Sequence, residues 1–360
     1  MIKKTFVIIG GGPAGLAAAE VILKAKGDVL IIDRSPILGG QLSKQTHMFF
    51  GSEKQHASKR GIDILEIMKA RLTKYDNLEI MTETTVVGLY KDKVLSCVKD
   101  DTYFKVKAEV IIVAAGASEK ALPFENNDLP GVYAAGAVQT LMNLYGVKPG
   151  DKVLMVGSGN IGLIVSYQLM QAGVKVVKLV EAASSIGGYL VHASKIRRLG
   201  VEILTNTSVK KALGEESVTG AVIWKLDEQW QGIPKTEETL DVDTICIAVG
   251  LAPLTELLQQ VGAEVTYIRE LGGNVPKINE HYETSVEGIY ACGDVAGIEE
   301  ASSAMIAGQL AGLESAIKYG LIIENHQEEI NRLKEELKNL RNGPHGAKVR
   351  AGLSKMGVKI

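Results

Sequence analysis

Gly10, Gly12 and Gly15 stand at Gly-x-Gly-x-x-Gly spacing directly after the apolar run 6–9. A short apolar run of that kind suits a buried parallel strand. The Ala-rich stretch after Gly15 suits a helix. Three glycines at a strand-to-helix turn are what a dinucleotide pyrophosphate requires. The first makes the tight turn, the second lets the phosphates approach the backbone, and the third lets helix and strand pack closely. The helix N-terminus then faces the anion. Pro13 and Ala14 lie inside the turn. Asp33 ends the next apolar run, 18 residues beyond Gly15, near the roughly 20 expected of a ribose-binding carboxylate.

The same chemistry recurs. The apolar run Lys152–Val156 leads into Gly157-Ser-Gly159-Asn160-Ile161-Gly162 and a helical stretch to Ala172. The run Lys175–Val180 then ends in Glu181, 19 residues past Gly162. Two copies, each with its flanking strand, helix and acid, imply two dinucleotide sites.

The elements that must position these residues follow from pattern. A helix over 14–26 ends at Gly27, a C-cap, and 29–33 is the second strand. A polar and aromatic loop, 43–61, carries His47, Phe49, Phe50, His56, Lys59 and Arg60; it is long for a plain connection. A helix over 62–75 precedes a meander of short strands at 78–81, 85–90, 94–98 and 103–108. A buried strand over 110–114 runs into Ala115-Gly116-Ala117. After the second glycine motif, 189–199 reads as a helix and 202–205 as a strand. Short strands follow at 209–213, at 218–225 and around Leu240. The run from Thr244 leaves through Val249-Gly250-Leu251-Ala252-Pro253. Gly288-Ile-Tyr-Ala-Cys-Gly-Asp-Val295 is a strand opening into a loop, and 301–319 is a helix. Alternating strands and helices of this kind predict an α/β fold with two doubly wound, three-layer Rossmann-like domains.

Length and composition agree. The 360 residues suffice for two domains, and an apolar content of 46% fills their cores. A net charge of −2 gives no general attraction to nucleic acid or an anionic membrane. Cys97, Cys246 and Cys292 are scattered, so no disulfide framework and no metal cluster is expected, and a reducing, cytoplasmic setting fits. Lys3 and Lys4 precede an apolar run too short for a signal peptide. No run approaches the roughly 18 apolar residues of a membrane span.

Six motifs in order resemble the flavoproteins with two dinucleotide-binding domains, the pyridine nucleotide-disulfide oxidoreductase and thioredoxin-reductase-like superfamily. They are Gly10-x-Gly12-x-x-Gly15, Gly39-Gly40-Gln41-Leu42, Ala114-Ala115-Gly116-Ala117, Gly157-x-Gly159-x-x-Gly162, Val249-Gly250-Leu251-Ala252-Pro253 and Ala291-Cys292-Gly293-Asp294-Val295. The resemblance covers about residues 1–320. It implies a discontinuous FAD domain, 1–117 and 244–322, with an NAD(H) domain inserted at 118–243 and a tail at 323–360. It implies FAD contacts from Gly10, Gly12, Pro13, Ala14, Gly15, Asp33, Arg34, Gly40, Gln41, Val86, Ala114, Ala115, Gly116, Gly293, Asp294 and Ala301. Asp294 would accept a hydrogen bond from the ribityl chain. The helix beginning at Ala301 would point its positive end at the pyrimidine side of the flavin. NAD contacts are implied for Gly157, Gly159, Asn160, Ile161, Gly162, Glu181, Val249 and Gly250. Glu181 would bind both ribose hydroxyls and repel a 2′-phosphate, so NADH is expected over NADPH. Arg197 and Arg198 come later, on a helix, facing solvent.

One departure from the superfamily is informative. Its redox cysteine pair stands either after the Gly-Gly of the first domain or just before the NAD fingerprint. Here 38–50 and 130–138 contain no cysteine. Electrons on the flavin must enter or leave by another route. The chain is most similar to the α-type flavoprotein subunits of sarcosine oxidase, opine dehydrogenase and dye-linked proline dehydrogenase, with hydrogen cyanide synthase as a relative. That similarity rests on Gly39-Gly-Gln41 with Thr46-His-Met-Phe-Phe-Gly51, and on Ile186-Gly-Gly-Tyr-Leu-Val-His192 with Arg197-Arg-Leu-Gly-Val201. It implies hydride exchange between nicotinamide and flavin and a partner, a second oxidoreductase subunit or electron carrier, besides any homo-oligomer. A stand-alone NADH-dependent reductase of a quinone, ferredoxin or small acceptor is the alternative, and a non-catalytic flavin-bearing scaffold is the third reading. His47 is the candidate acid–base residue, with His56 in the same loop and His192 on the inserted domain.

In the tail, Ile330, Leu333, Leu337 and Leu340 repeat at 3-4-3 spacing among charges, a short coiled-coil-like stripe that must pack either on a partner or, as a C-terminal helix, on its own domain. Beyond it, Lys338, Arg341, Lys348, Arg350, Lys355 and Lys359, with glycines and Pro344, read as a flexible basic arm, either docking a partner subunit or serving as a disordered solubilising tail.

Overall fold

The computed structural model describes residues 1–49, 52–343 and 346–357. Phe50, Gly51, Pro344 and Lys359, named above, lie outside the described residues. The chain divides into two compact units, Met1–Ser118 with Ala252–Ile360, and Glu119–Leu251.

The first unit is built on a sheet in the order Leu78–Met81, Val29–Ile32, Ile2–Ile9, Thr102–Val113, Val94–Lys99, Thr85–Leu89, with Ile289–Ala291 also paired to Thr102–Val113. Residues 103–114, read from sequence as two strands, form one long strand with two jobs. Its first half pairs antiparallel with Val94–Lys99 in the meander. Its second half continues the parallel core, pairing Ile9 with Val113 and Tyr290 with Ile112. Parallel strands covered on both faces must be apolar throughout. Accordingly Phe6, Val7 and Ile8 are fully buried, as are Val29, Leu30 and Ile31.

Helix Pro13–Lys24 begins with proline at its first turn, where no N–H is missed. It packs along helix Ala301–Tyr319 through small residues. A β-carbon on Gly308 would strike the backbone of Ala14, and one on Gly312 that of Ala18. Those two contacts run in the same direction along both helices, so the helices are parallel. The N-terminus of 301–319 therefore overhangs that of 13–24 by about 9 Å.

The second unit has an all-parallel sheet in the order Glu202–Leu204, Lys175–Val180, Lys152–Val156, Thr244–Ile247, Val132–Ala134. Helices Ala135–Tyr145, Asn160–Gln171 and Leu190–Arg198 accompany it. An antiparallel sheet of Thr207–Leu213, Gly220–Lys225 and Glu238–Leu240 completes the unit. The expected return to the first domain at residue 244 is corrected here. Thr244–Ile247 pairs on both sides inside the second sheet, and the chain returns at Ala252.

Of the two readings of the tail's stripe, the helix on its own domain is the one formed, and only the flexible basic arm is corrected. Helix His326–Arg341 turns its stripe onto its own chain, with Ile330, Leu333 and Leu337 buried against Ile306, Leu310 and Leu313 of helix 301–319. Those three residues form an apolar face left over after the helix has packed on 13–24, and it requires cover. The supposed basic arm is largely the helix Ala347–Met356, whose Leu353 and Met356 join the core formed around Leu271 and Val275. Because Leu333 is 1% exposed, Leu333→Ala is expected to destabilise the first unit by about 3 kcal/mol. A lowered urea midpoint, followed through near-ultraviolet circular dichroism, would register it.

Candidate functional site

Both glycine turns are held by the same set of bonds. The Gly10 N–H donates to the Ile32 carbonyl and the Gly157 N–H to the Val180 carbonyl, each at 2.8 Å. The backbone is left-handed at both positions, φ +103 and +108. A β-carbon on Gly10 would collide with the carbonyl oxygen of Ala114, and one on Gly157 with that of Ala248. Gly15 and Gly162 are equally constrained, each against the carbonyl oxygen of the first glycine of its own motif. Protein packing alone therefore dictates the outer two glycines of each motif.

The middle glycine is different. Gly12 (φ −76, ψ −174) and Gly159 (φ −64, ψ 173) adopt backbone that any residue can take. The nearest described atom to a β-carbon on Gly12 is the Gly40 Cα at 3.9 Å, and none lies within 4 Å at Gly159. Nothing in the chain asks for glycine there. The space kept open lies at a helix N-terminus, so the residues fit a pyrophosphate in both units.

The two acids share a second job. Asp33 Oδ2 accepts from the Gly11 N–H at 2.7 Å, and Oδ1 from the Ser35 N–H at 2.8 Å. Glu181 Oε2 accepts from the Ser158 N–H at 2.8 Å and its hydroxyl at 2.6 Å, and Oε1 from the Ala183 N–H at 2.9 Å. Each carboxylate tethers the glycine turn to the second strand and keeps acceptor capacity for a ribose hydroxyl. Arg34 beside Asp33 is exposed, as are Arg197 and Arg198 on helix Leu190–Arg198.

The correspondence extends further than the two fingerprints. Six residues after each acid comes a Gly-Gly pair, Gly39-Gly40 and Gly187-Gly188. The Gly39 N–H donates to the Gly11 carbonyl at 2.8 Å, and the Gly188 N–H to the Ser158 carbonyl at 2.9 Å. Gly40 and Gln41 are exposed at the start of the 3-10 turn Gly40–Lys44. Asn160 Oδ1 accepts the Tyr189 N–H at 2.8 Å and so holds the second pair in place. Ala114 and Ala248 flank the first glycines, and Gly116 and Gly250 follow two residues on, both at positive φ. Ala115 is half-buried against the core, Ile161 half-buried in its helix, and Val249 37% exposed. Val86 lies in the meander, two residues past Thr84, whose N–H donates to the Asp33 carbonyl at 3.0 Å.

The fifth strand is copied too, and here the copies diverge. Tyr290-Ala-Cys-Gly-Asp-Val295 in the first unit matches Tyr133-Ala-Ala-Gly-Ala-Val138 in the second. Both pair parallel to the strand that flanks the glycine turn. Asp294 in one copy is Ala137 in the other. The Asp294 carboxyl is pushed up to about 6, chiefly by burial and then by the negative charges of Glu299 and Glu300; the Glu299 N–H works against this. The helix after the first copy starts at Ala301, and its N-cap residue Glu300 makes no capping bond. In the second unit the corresponding N-terminus is occupied, because the Gly136 N–H donates to Glu119 Oε1 at 2.7 Å. The first unit thus places a buried acid beside the start of this helix where the second has alanine and the Glu119 carboxylate.

His47 is half-buried and stacks on Phe49 at 5.5 Å between ring centroids. His56 stands further along the same loop. It faces Arg71, Lys59 and Glu20, at the far end of helix 13–24, and burial first and then the two cations lower its pKa. Burial and Lys195 likewise lower that of His192. All three cysteines are fully buried. Burial pushes the Cys97 thiol up to about 11 and Cys292 up to about 12, and raises Cys246 as well. None is a nucleophilic thiolate at neutral pH. Among the described residues no group of three or more His, Cys, Asp or Glu is placed to hold a metal ion, and no helix is long and apolar enough to cross a membrane.

The sequence pattern of the pyridine nucleotide-disulphide oxidoreductases matches residues 4–308. The chain is 26% identical to hydrogen cyanide synthase subunit HcnB of Pseudomonas aeruginosa, over 94% of this chain and 77% of that one. It is 25% identical to an NADH oxidase of Methanocaldococcus jannaschii, over 80% of this chain and 62% of that one. Its fold matches the crystal structure of T. acidophilum thioredoxin reductase with a TM-score of 0.73 at 21% identity, over 89% of this chain and 99% of that one.

Two outcomes follow. Gly12→Ala and Gly159→Ala are expected to leave unfolding free energy within about 0.5 kcal/mol while weakening FAD and NAD+ respectively by tenfold or more in equilibrium titrations. Asp294 has a raised folded-state pKa, so its ionised form is penalised above about 6 and the penalty vanishes near its unfolded value of about 4. Asp294→Asn should therefore stabilise the flavin-free protein at pH 7.5, by roughly 2–3 kcal/mol, and not at pH 4. Melting curves across that range would read the difference.

Proposed function

The chain belongs to the pyridine nucleotide-disulphide oxidoreductase family and is an FAD-dependent oxidoreductase, and from that premise we propose how its two sites divide the work. The first unit holds FAD through Gly10, Gly12, Gly15, Asp33, Gly40, Gln41, Gly293 and Asp294. The inserted unit holds NAD(H) through Gly157, Gly159, Asn160, Gly162 and Glu181. The observation that carries this division is the divergence of the fifth strand and the turn after it, with the buried acid Asp294 in one copy and Ala137 beside a Glu119-bonded Gly136 in the other.

When bound, the cofactors supply hydride exchange between nicotinamide C4 and flavin N5. The chain's own residues bind and tune. The turn N–H groups receive the two pyrophosphates. Asp33 and Glu181 orient the riboses while holding the turns. The N-terminus of helix 301–319 favours negative charge on the flavin's pyrimidine side. Glu181, with Arg197 and Arg198 exposed, selects NADH over NADPH. With three cysteines buried and inert, electrons pass to or from a partner rather than to a disulfide. Similarity to a synthase subunit supports a relay subunit of an amine or imino-acid dehydrogenase complex. Similarity to an NADH oxidase favours the second reading, a stand-alone reductase of a small acceptor.

Anaerobic NADH should bleach the flavin of the isolated chain, with NADPH requiring at least about tenfold higher concentration. Persistence of the oxidised flavin spectrum under excess NADH would overturn the reading. Amine-dependent reduction that requires an added second subunit selects the relay. NADH-dependent turnover of a quinone by the chain alone selects the reductase.

A further inference from the structure

The helices after residue 320 lie beyond the region matched by the family pattern, which ends at 308, yet they grip the first unit at two places. Glu336 is paired with Lys54 Nζ at 2.5 Å and accepts from Gln55 Nε2 at 3.1 Å, in the segment that follows Gly40–Lys44. One helical turn and a half later, Arg341 clasps Glu299 with two bonds, Nε to Oε2 at 2.9 Å and Nη2 to Oε1 at 2.6 Å. Both side chains of that pair are nearly buried, 12% and 13% exposed. The Tyr282 phenol completes the set around the guanidinium.

Glu299 stands between two features of the flavin reading. Its N–H donates to Asp294 Oδ1 at 3.4 Å, and it precedes the helix that begins at Ala301 by two residues. The same segment is held from its other side. The Ile298 N–H donates to the Leu271 carbonyl at 3.0 Å, and Gly352 of helix Ala347–Met356 lies so close to the Leu271 side chain that a β-carbon would collide with it. The final helix is itself pinned by Lys355 to Glu270 at 2.5 Å. Arg341 also lines, with Glu299, Tyr282, Gly293 and Ser303, a cavity of about 300 Å³ between helix 326–341 and helix 301–319. A two-pronged guanidinium–carboxylate pair fixes orientation as well as distance. It is an apt device for holding a loop whose backbone must present one carboxylate.

We propose that Arg341 is a positioning residue for the flavin: its bidentate pair with Glu299 fixes segment 293–300 so that Asp294 and the N-terminus of helix 301–319 face the cofactor. The C-terminal helices are then an integral part of the flavin site and not a detachable arm. This rests on the reading that the first unit takes FAD.

The test uses the full chain stripped of flavin, titrated with FAD through quenching of flavin fluorescence, with NAD+ affinity as an internal reference. Arg341→Met should weaken FAD at least tenfold with NAD+ affinity unchanged within twofold, and should alter the visible circular dichroism of the residual bound flavin. Glu299→Gln/Arg341→Met removes both charges, leaves no buried unpaired ion, and should show the same loss; it carries the test where the single variant does not fold. Arg341→Lys, which keeps charge without the fork, should fall between Arg341→Met and the parent. FAD affinity within twofold of the parent in the double variant, or loss of NAD+ affinity in step with FAD, overturns the proposal. A parent chain that binds no FAD overturns the flavin reading itself.

Discussion

In each unit a carbonyl oxygen occupies the space where a side chain would begin. Ala114 in one unit and Ala248 in the other press against the first glycine of the adjoining turn. That approach sets the spacing between the first and central strands, which pair in register up to Ile9 with Val113 and Val156 with Ile247. It also sets the angle at which each helix leaves the turn, and hence the direction of its positive end. The acid on the neighbouring strand closes the arrangement from the other side. A side chain at either outer glycine would force strand and helix apart, and the middle glycine would no longer face an organised pocket. The binding surface is thus a by-product of packing, and the one glycine that packing does not explain marks where a ligand goes.

The duplication shows how one scaffold takes two ligands. Strand order, glycine turn, tethering acid, Gly-Gly pair and fifth strand all recur. Function separates through few changes. A buried acid is present at 294 and absent at 137, and a Glu119 carboxylate accepts from the Gly136 N–H in the other copy. The raised pKa of Asp294 is the mark of an acid kept in a poor environment for its charge, a cost in stability that is common where a carboxylate serves a site.

Much of this was legible in sequence because it is local. The glycine spacings, the acids and the apolar strands are set by neighbours a few residues away, and short-range sterics write them plainly. The strand Val132–Ala134 and the helix after it went unread, although Tyr133-Ala-Ala-Gly-Ala-Val138 repeats Tyr290-Ala-Cys-Gly-Asp-Val295; a self-comparison of the chain would have found them. The return point of the second unit differs from the sequence expectation because Thr244–Ile247 is a fully buried strand of a kind that either sheet could take as a central member. The surface that covers the tail's stripe stays open in sequence for a related reason. A 3-4-3 stripe demands a partner surface, and only the fold shows that Ile306, Leu310 and Leu313 provide one within the same chain.

The interleaving of the units also imposes a schedule on synthesis. The long strand that ends at Val113 must wait for its neighbour Ile289–Ala291, which emerges roughly 10–35 s later at ordinary translation rates of about 5–20 residues per second. Meanwhile Glu119–Leu251 is complete and able to fold as a tethered body. The first sheet spends that interval with one flank of its central strand uncovered, and helix 13–24 without the helix that packs along it. Its closing pieces, Arg341 and Leu353 among them, arrive later still. On the proposed reading of the first unit, its cofactor site is capped only once residues 341–353 have emerged, so cofactor capture waits for those two helices.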